Sequence, residues 1–516
     1  MLEQTFTLHG QGDDGRKGMR GGAHWLFALP SWPSDVLWCG GDDTHPDDLA
    51  ALRRLVGEVS VVDDPQAVTE RRDLVVNCAP GASPLRLREL GRVVVDMAAH
   101  PSGDRGQGWT MLSAGDVLRG IAPDGDQCAQ RRLRSLIDGE RPAKPRPWRR
   151  RSGTELRRSG AAVHLGAGAR DGRPSVRQPP AYVLEIGAAA GVDLQRHHWA
   201  LWCRGDYLSQ KLVMLLADHA DPASDVVVKI ARQPEANQRL VNEARGLMAA
   251  GAALGRGGDI PRVVFTGNHG PCFLCAQSMV PGRPYRAVLD AARRAGRVRS
   301  EDGVALLRSG VDRLERLAAA TVHHVDAAQQ QAALTRLVDW FVQSYRVGRV
   351  RRTLIEDLVL GPLLAADVPS VLQHGDPGVW NALVDGGSVR FVDWESTELD
   401  GLPLLDAVYF LRSAALALEP AFPRRNRLRA VRRHLVEGSS MTSEIAAGIE
   451  RVRAACALPP ALVEPLVHLT WLHRAVKHAG RRPDERGRSP YAELLWACLE
   501  GRRRPGFRSL VGDHVD

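Results

Sequence analysis

Residues 371–395, VLQHGDPGVWNALVDGGSVRFVDWE, constrain the fold and the chemistry of this chain more than any other segment. Two runs rich in apolar residues, 382–384 and 389–392, flank the tetrapeptide Asp385-Gly386-Gly387-Ser388. A glycine-rich tetrapeptide between such runs is a signal for the tight turn of an antiparallel hairpin. The segment therefore predicts two paired strands, with polar residues placed just outside their open end.

The register expected for this hairpin brings polar side chains together. A fold about residue 387 pairs position 381 with position 393, so we expect Asn381 and Asp393 to lie side by side. Two oxygen-bearing side chains so placed can share a hard cation such as Mg²⁺. Asp376 precedes Asn381 by five residues, and beside the metal it can orient a substrate hydroxyl and accept its proton. The alternative interpretation is a surface hairpin whose acids occupy ordinary turn positions.

These residues resemble the catalytic motifs of the aminoglycoside phosphotransferase and choline kinase family. His374-Gly375-Asp376 with Asn381 is similar to the catalytic loop of that family, in which Gly stands where protein kinases usually have Arg. Asp393-Trp394-Glu395 is similar to the family's replacement for the Asp-Phe-Gly metal motif. The resemblance implies that Asp376 is the catalytic base, that Asn381 and Asp393 bind the metal, and that ATP and Mg²⁺ are the cofactors.

The same resemblance implies a two-lobed α+β protein-kinase-like fold and two residues that support the site. His374 is expected to brace the catalytic loop. Asp406, in the segment PLLDAVYF, resembles the acid that anchors this loop from the following helix.

A lysine and a glutamate upstream are candidates for nucleotide binding. Lys229 interrupts the apolar run VVVKIAR, and a lysine on a mostly buried strand needs a partner or a ligand. Glu243 lies three residues after Leu240 and four before Leu247, near the buried face of a predicted helix. The pair matches the strand lysine and helix glutamate that hold the α- and β-phosphates of ATP in kinase-like enzymes. An exposed glutamate and an unrelated edge-strand lysine are the alternative.

Two further segments are expected near the nucleotide. Cys272 to Ala276 reads as a buried strand, and in the resembled family the residues that follow link the two lobes and bind adenine through their backbone. Gln277 and Met279 are therefore nucleotide-binding candidates. The loop 204–211 has one glycine and lacks the glycine-rich signature of protein kinases. Ser209 and nearby amides are candidates to cap the phosphates there, although a plain strand turn explains the loop equally well, and GTP remains open as donor.

Residues 1–140 are predicted to form an α/β, Rossmann-like domain, because short apolar runs alternate with segments of helical spacing. Gly40, Gly41 and Asp63 have the spacing of a nucleotide-cofactor site. The loop GGDDTHPDD, however, lacks the three-glycine fingerprint, and its aspartates would repel a pyrophosphate. A structural or interaction domain is the other interpretation, and the resemblance to a degenerate methyltransferase-like domain extends only to general topology.

Composition divides the rest of the chain. Residues 141–180, rich in Pro, Gly, Arg and Ser, predict an interdomain linker. The kinase-like domain is then expected over 181–516, with an N-lobe at 196–280 and a C-lobe at 283–516. Three strands closed by turns are expected in the N-lobe, as a small antiparallel sheet.

Charge and cysteine content limit the binding partners and the cellular compartment that we expect. The net charge of +9 comes mostly from arginine, and the densest basic run, 144–158, carries seven basic residues and one acid. This run could bind nucleic acid, but its interleaved prolines favour a solvated linker. Eight scattered cysteines suit reduced thiols in the cytoplasm. The chain shows no signal peptide and no apolar stretch of membrane-spanning length, so we expect a soluble protein.

The sequence therefore predicts an ATP- and Mg²⁺-dependent phosphotransferase that acts on a hydroxyl group of a sugar, an amino alcohol or an aminoglycoside-like molecule. From residue 404 to residue 516 there are 19 Arg plus Lys against 12 Asp plus Glu. That balance fits a neutral or anionic acceptor better than a polycation. A catalytically silent kinase-like module that binds nucleotide or a partner is the alternative.

Overall fold

A computed structural model describes most of the chain outside its first 23 residues. The described residues are 24–29, 31–40, 46–78, 87, 89–96, 108–114, 117–123, 126–140, 156–165, 178–203, 211–255, 260–294, 300–419, 427–481 and 487–512. They form two compact units. We call Arg16–Val241 with Val263–Met279 the sheet unit, and Asn242–Arg262 with Val280–Asp516 the helical unit.

Many of the strands coincide with apolar runs of the sequence. Their bounds are β1 Val36–Cys39, β2 Val59–Val62, β3 Arg72–Asn77, β4 Gly91–Asp96, β5 Gly108–Ala114, β6 Val117–Pro123, β7 Leu156–Leu165, β8 His198–Trp202, β9 Leu212–Ala217, β10 Val226–Ile230, β11 Val263–His269, β12 Cys272–Ser278, β13 Arg283–Pro284, β14 Val371–Gln373, β15 Ala382–Asp385, β16 Ser388–Phe391 and β17 Glu398–Gly401.

Helices connect the strands of the sheet unit and make up most of the helical unit. Their bounds are α1 Pro46–Val56, α2 Gln127–Glu140, α3 Ala181–Ala189, α4 Asn237–Leu254, α5 Tyr285–Arg294, α6 Ser300–Thr321, α7 Ala327–Tyr345, α8 Arg349–Ile355, α9 Gly361–Leu364, α10 Leu405–Leu418, α11 Arg427–Arg432, α12 Ser440–Ala455, α13 Val463–Arg481, α14 Pro490–Glu500 and α15 Pro505–Val511. Within the described ranges, no helix is long and apolar enough to cross a membrane.

In the sheet unit, the twelve described strands form one continuous sheet in the order β11-β12-β10-β9-β8-β6-β5-β7-β4-β3-β1-β2. The strands β2, β1, β3 and β4 pair in parallel, and the other pairings are antiparallel. Parallel pairing is what alternating strands and helices produce. The assignment of residues 1–140 to the Rossmann-like class remains a prediction.

The stretch predicted as a linker differs from expectation in one respect. Strand β7 lies inside it and pairs with β4 on one side and β5 on the other. The Arg, Ser and Gly residues around it hid the strand, because their composition is typical of loops. Beyond β7, β6 pairs with β8 through Ile121 and Leu201, so the sheet continues from the N-terminal half into the strands that carry Lys229.

One hydrophobic core and one helix join these strands. Buried side chains of β1, β6 and β8 belong to a single hydrophobic cluster, among them Trp38, Ile121, Trp199 and Leu201. Helix α2 begins at an Asp126 N-cap, whose carboxylate accepts from the amide of Ala129 at 2.9 Å and lies 2.7 Å from Nδ1 of His198.

The helical unit has its own core, and α13 runs through it. Most side chains of α13 are buried, including those of Leu466, Trp471 and Leu472. A helix buried on all sides must find partners for every polar group that it carries. Arg474, with 6% of its surface exposed, is such a group, and its partners lie on the loop that follows β14.

The predicted hairpin is formed by β15 and β16, but its register is one residue off the expectation. Asp385 pairs with Ser388 and Ala382 with Phe391. The loop therefore contains only Gly386 and Gly387, both at positive φ (54° and 84°), as the two-residue turns that match strand twist require. Position 381 thus opposes 392, and the expected pairing of 381 with 393 was wrong.

Candidate active site

The loop that carries Asp376 begins where β14 ends. β14 pairs with β17, and the chain then turns sharply at Gly375, whose φ is 76°. A side chain at this position would overlap the main-chain carbonyl oxygen of Ser396. The turn therefore requires glycine for two reasons, since positive φ is also unfavourable for other residues.

Asp406, in the first turn of α10, holds this loop through its backbone. Its carboxylate accepts hydrogen bonds from the amides of His374 at 2.6 Å and Gly375 at 3.2 Å. Burial raises the pKa of Asp406 to about 6, although these amides and the nearby cations oppose the shift. Asp406 therefore contacts the loop that the family resemblance expects it to anchor, and its supporting role stays a prediction.

His374 connects the loop to the end of β16. Its Nε2 donates to the carbonyl of Val392 at 3.1 Å, and its Nδ1 accepts from the amide of Asp376 at 3.2 Å. The ring is fully buried, and this burial lowers the pKa of His374 to about 4, although the charges of Asp376 and Asp393 act in the opposite direction. A neutral imidazole has one nitrogen that donates and one that accepts, which matches these two hydrogen bonds.

Asn381 lies directly beside Asp376. Its amide nitrogen donates to the main-chain oxygen of Asp376 at 3.0 Å and to Oδ2 of the same residue at 3.2 Å. The amide oxygen therefore points away from Asp376. The structure brings these two predicted site residues together.

Asp393 comes directly after Val392, and Val392 is hydrogen-bonded to Asn381. The amide of Val392 donates to the main-chain oxygen of Asn381 at 2.9 Å, and the next residue is Asp393. Its φ of 74° places it in the left-handed region, which is uncommon for residues with a side chain. Backbone strain of this kind concentrates at functional sites.

Helix α4 packs on the segment around Asp393. Glu243, which is fully buried, accepts from the amide of Trp394 at 3.2 Å. The side-chain amide of Asn242 donates to the carbonyls of Glu395 at 3.1 Å and Thr397 at 2.9 Å. The carboxylate predicted to hold the nucleotide lysine is thus bonded to the Asp393-Trp394-Glu395 motif.

A cationic stripe on α13 faces the same loop and the segment after Asp393. Arg474 donates to the carbonyl of Gly375 at 2.7 Å and to Oδ1 of Asp376 at 2.5 Å. Lys477 donates to Glu398 at 2.6 Å, and Arg481 donates to the hydroxyl of Ser396 at 3.2 Å. Positions 474, 477 and 481 lie on one helix face.

This stripe determines the charge state of Asp376. Burial alone would raise the pKa of Asp376, but the charges of Arg474 and Arg481 outweigh it, so the pKa lies below its ordinary value. Glu398 is bonded to His473 as well as to Lys477. The carboxylate of Glu398 is mostly buried in these ion pairs.

The other predicted nucleotide-binding residues belong to the sheet unit. Lys229 lies in β10, opposite Val213 of β9 and Cys275 of β12, and is 8% exposed. Gln277 is 2% exposed and lies in β12, where its side-chain amide contacts Sγ of Cys275 at 3.6 Å. The amide of Met279 donates to the carbonyl of Asp225 at 2.9 Å, so that amide is engaged within the protein. Ser209 lies outside the described residues.

Sequence reasoning missed Arg474. The signal was present, because Arg474 falls in register with the apolar positions Val467 and Trp471 of α13. A charged residue in an apolar stripe indicates a buried ion pair. Its partner, Asp376, is 98 residues away in the chain, and no local pattern identifies such a partner.

Comparison with known proteins supports the family assignment for the central part of the chain. The model of the phosphotransferase enzyme family matches residues 213–437, which include Lys229, Asp376 and both strands of the hairpin. The resemblance inferred from the motifs is confirmed for this region. The match supports a kinase-like fold.

Solved structures with distant likeness include three enzymes. A glucosamine kinase, in complex with glucosamine, ADP and inorganic phosphate, is 19% identical, covering 60% of this chain and 83% of that one (TM-score 0.35). The aminoglycoside phosphotransferase APH(3'')-Id from Streptomyces rimosus is 16% identical, covering 55% and 97% (TM-score 0.30). The bifunctional kinase-methyltransferase WbdD is 15% identical, covering 83% and 84% (TM-score 0.28). A search among curated proteins found no match.

Proposed function

Since residues 213–437 match the phosphotransferase enzyme family, we propose that this chain transfers the γ-phosphoryl group of ATP, with Mg²⁺, to a hydroxyl group of a small molecule. One observation carries the proposal above all others. Asn381 is hydrogen-bonded to Asp376, and the chain that leads into Asp393 is bonded to Asn381. A carboxylate and two candidate oxygen ligands therefore lie together in one unit.

Asp376 is the catalytic base in this proposal. It orients the acceptor hydroxyl and takes its proton as the hydroxyl oxygen bonds to the γ-phosphorus. The bond between the γ-phosphorus and the oxygen that bridges to the β-phosphate breaks at the same time. The products are ADP and a phosphate monoester, and positioning supplies most of the catalysis.

The residues around Asp393 fit a magnesium ion by the chemistry of their donors. The amide oxygen of Asn381 points away from Asp376, and Asp393 adds carboxylate oxygens, which are the ligands that Mg²⁺ prefers. Within the described residues no group of three or more His, Cys, Asp or Glu side chains is arranged for a metal. One or two protein ligands suffice for Mg²⁺ when substrate phosphates complete the shell. The ion would neutralise charge on the transferred phosphoryl group.

Lys229 and Glu243 are proposed to hold and orient the nucleotide phosphates, as a strand lysine and a helix glutamate do in kinase-like enzymes. Both side chains are buried, which a lysine and a glutamate tolerate only with partners. For adenine we propose backbone groups near Gln277 and Met279. The carbonyl of Met279 is the better candidate, because its amide already bonds to Asp225.

The acceptor is proposed to be a neutral or anionic molecule with a free hydroxyl, of the sugar or amino alcohol type. Arg474 of the α13 stripe is bonded to Asp376, and Lys477 and Arg481 lie on the same helix face, so these cations would disfavour a polycation there. The cytoplasm is the proposed compartment, because all eight cysteines are free thiols.

The proposal is tested with γ-labelled ATP, MgCl₂ and a panel of sugars, amino alcohols, hydroxy acids and aminoglycosides. We expect phosphate-monoester formation with at least one acceptor, and a loss of about 10² to 10⁴ in kcat for Asp376→Asn. Asp385→Asn is the matched control, because this carboxylate lies in the hairpin turn, where it is paired with Arg390. It should leave kcat within about threefold.

Metal dependence gives an independent check of Asn381 and Asp393. Alanine at either position should raise the Mg²⁺ concentration for half-maximal activity by roughly tenfold or more. If no acceptor is turned over and Asp376→Asn changes nothing, the catalytically silent module is the better description of the chain.

A further inference from the structure

The guanidinium of Arg474 on α13 is hydrogen-bonded to the loop that carries Asp376. It donates from one nitrogen to the carbonyl of Gly375 and from another to Oδ1 of Asp376, at 2.7 and 2.5 Å. It also lies over the ring of Tyr409, 3.2 Å from the centroid, and the hydroxyl of Tyr409 is bonded to that of Tyr491 at 3.0 Å. The side chain is 7% exposed. These contacts fix the guanidinium on three sides.

The loop itself has no room for such a cation. Position 375 adjoins Asp376 but cannot carry a side chain, because any Cβ there would overlap the carbonyl of Ser396. A cation that bonds Asp376 must therefore come from another element. Helix α13 supplies it, and a planar guanidinium can reach Gly375 and Asp376 together because its donors form a fixed fork.

The same bond decides which oxygen of Asp376 faces the acceptor. Oδ1 is bonded to Arg474, whereas Oδ2 faces the amide of Asn381 at 3.2 Å and the indole nitrogen of Trp380 at 3.4 Å. The contact to Trp380 is long for a hydrogen bond, and its side chain is 42% exposed. Of the two oxygens, Oδ2 is thus the one next to an exposed side chain.

We propose that Arg474 is a positioning residue for the phosphotransfer reaction, which clamps Oδ1 of Asp376 so that Oδ2 meets the acceptor hydroxyl. The inference rests on the proposed function, because it concerns the orientation of Asp376 as the proposed catalytic base. A carboxylate without the clamp can rotate about its side-chain bonds and lose the in-line geometry. Misplacement by about 1 Å is enough to reduce turnover by roughly 100-fold.

The test is a double-mutant cycle on the full-length protein, with γ-labelled ATP and the best acceptor of the panel. Arg474→Gln should lower kcat by roughly 10- to 100-fold and leave KM for ATP within about twofold. Arg474→Lys should recover part of the loss, because an ammonium keeps the charge without the fork. Arg308→Gln, which breaks an exposed arginine–glutamate pair elsewhere in the helical unit, is the control and should leave kcat unchanged.

The cycle separates positioning from general structural support. If Arg474 acts through Asp376, adding Arg474→Gln to Asp376→Asn should change kcat by less than about threefold, because the base is already gone. Thermal unfolding of each variant shows whether it is folded, and Arg474→Lys carries the test if the glutamine variant is not. An equal loss in both backgrounds, an unchanged kcat or an increased kcat would overturn the inference. Absence of turnover in the wild type would overturn the proposed function as well, so the two failures are distinguishable.

Discussion

Gly375→Ala should disable the catalytic loop and also destabilise the protein. Two effects combine at this position. A φ of 76° costs an alanine about 1 to 2 kcal/mol, and the new methyl group would overlap the carbonyl oxygen of Ser396. To relieve the overlap, the loop or the Ser396 segment must move by about 1 to 2 Å, which carries Asp376 out of position and should lower kcat roughly 100-fold or more.

Gly387→Ala is the matched control for this change. Its φ is 84°, so the backbone penalty is similar, but no atom lies within 4 Å of the added methyl group. The two variants are compared by urea unfolding and by kcat. The control should lose about 1 to 2 kcal/mol and keep its turnover within about threefold. If Gly375→Ala retains turnover close to that of the control, the overlap with Ser396 does not constrain the loop and the reasoning fails.

Three further predictions concern stability. The pKa of Asp406 is raised to about 6 in the folded protein. The stabilisation that comes from protonating Asp406 is therefore fully present below the pKa that this residue has in the unfolded chain, and it is lost as the pH rises through 6. The free energy of unfolding of the wild type should therefore fall relative to Asp406→Asn by about 2 to 3 kcal/mol between pH 3.5 and 7.5, as measured by urea titrations. A chain that begins at residue 178 leaves β8 without β6 and uncovers Trp199 and Leu201, so it should unfold at a clearly lower temperature than the full chain in calorimetry. Gly246→Ala should destabilise the protein because the methyl group would overlap the side chain of Thr397, whereas Gly251→Ala in the same helix meets no atom within 4 Å and should stabilise it by up to about 1 kcal/mol.

Local signals predicted the elements of this chain well. The strands Val36–Cys39, Val59–Val62 and Val226–Ile230 begin and end where the apolar runs do. The hairpin turn was predicted at the right tetrapeptide, because two adjacent glycines between apolar runs are typical of a tight hairpin turn. The register was wrong by one residue, since a two-residue loop and a three-residue loop read alike in the sequence.

Long-range features were not accessible in the same way. Strand β7 was hidden by a composition typical of linkers, and its pairing with β4 and β5 depends on segments far away in the chain. For the site, the motif spacing placed Asp376 and Asn381 together, and the structure has them hydrogen-bonded. The assignments of Lys229, Glu243, Gln277 and Met279 to the nucleotide, and of Ser209 to its phosphates, stay predictions.

The continuous sheet has a thermodynamic consequence. Its N-terminal strands and the strand that carries Lys229 share one hydrogen-bonded ladder and one core, so they are expected to melt as one cooperative block. Any compound that binds the native form of the N-terminal half would then also raise the melting temperature of the strands around Lys229, by mass action alone. A thermal-shift screen on the intact chain can thus reveal ligands of the first 140 residues without any assay of phosphoryl transfer.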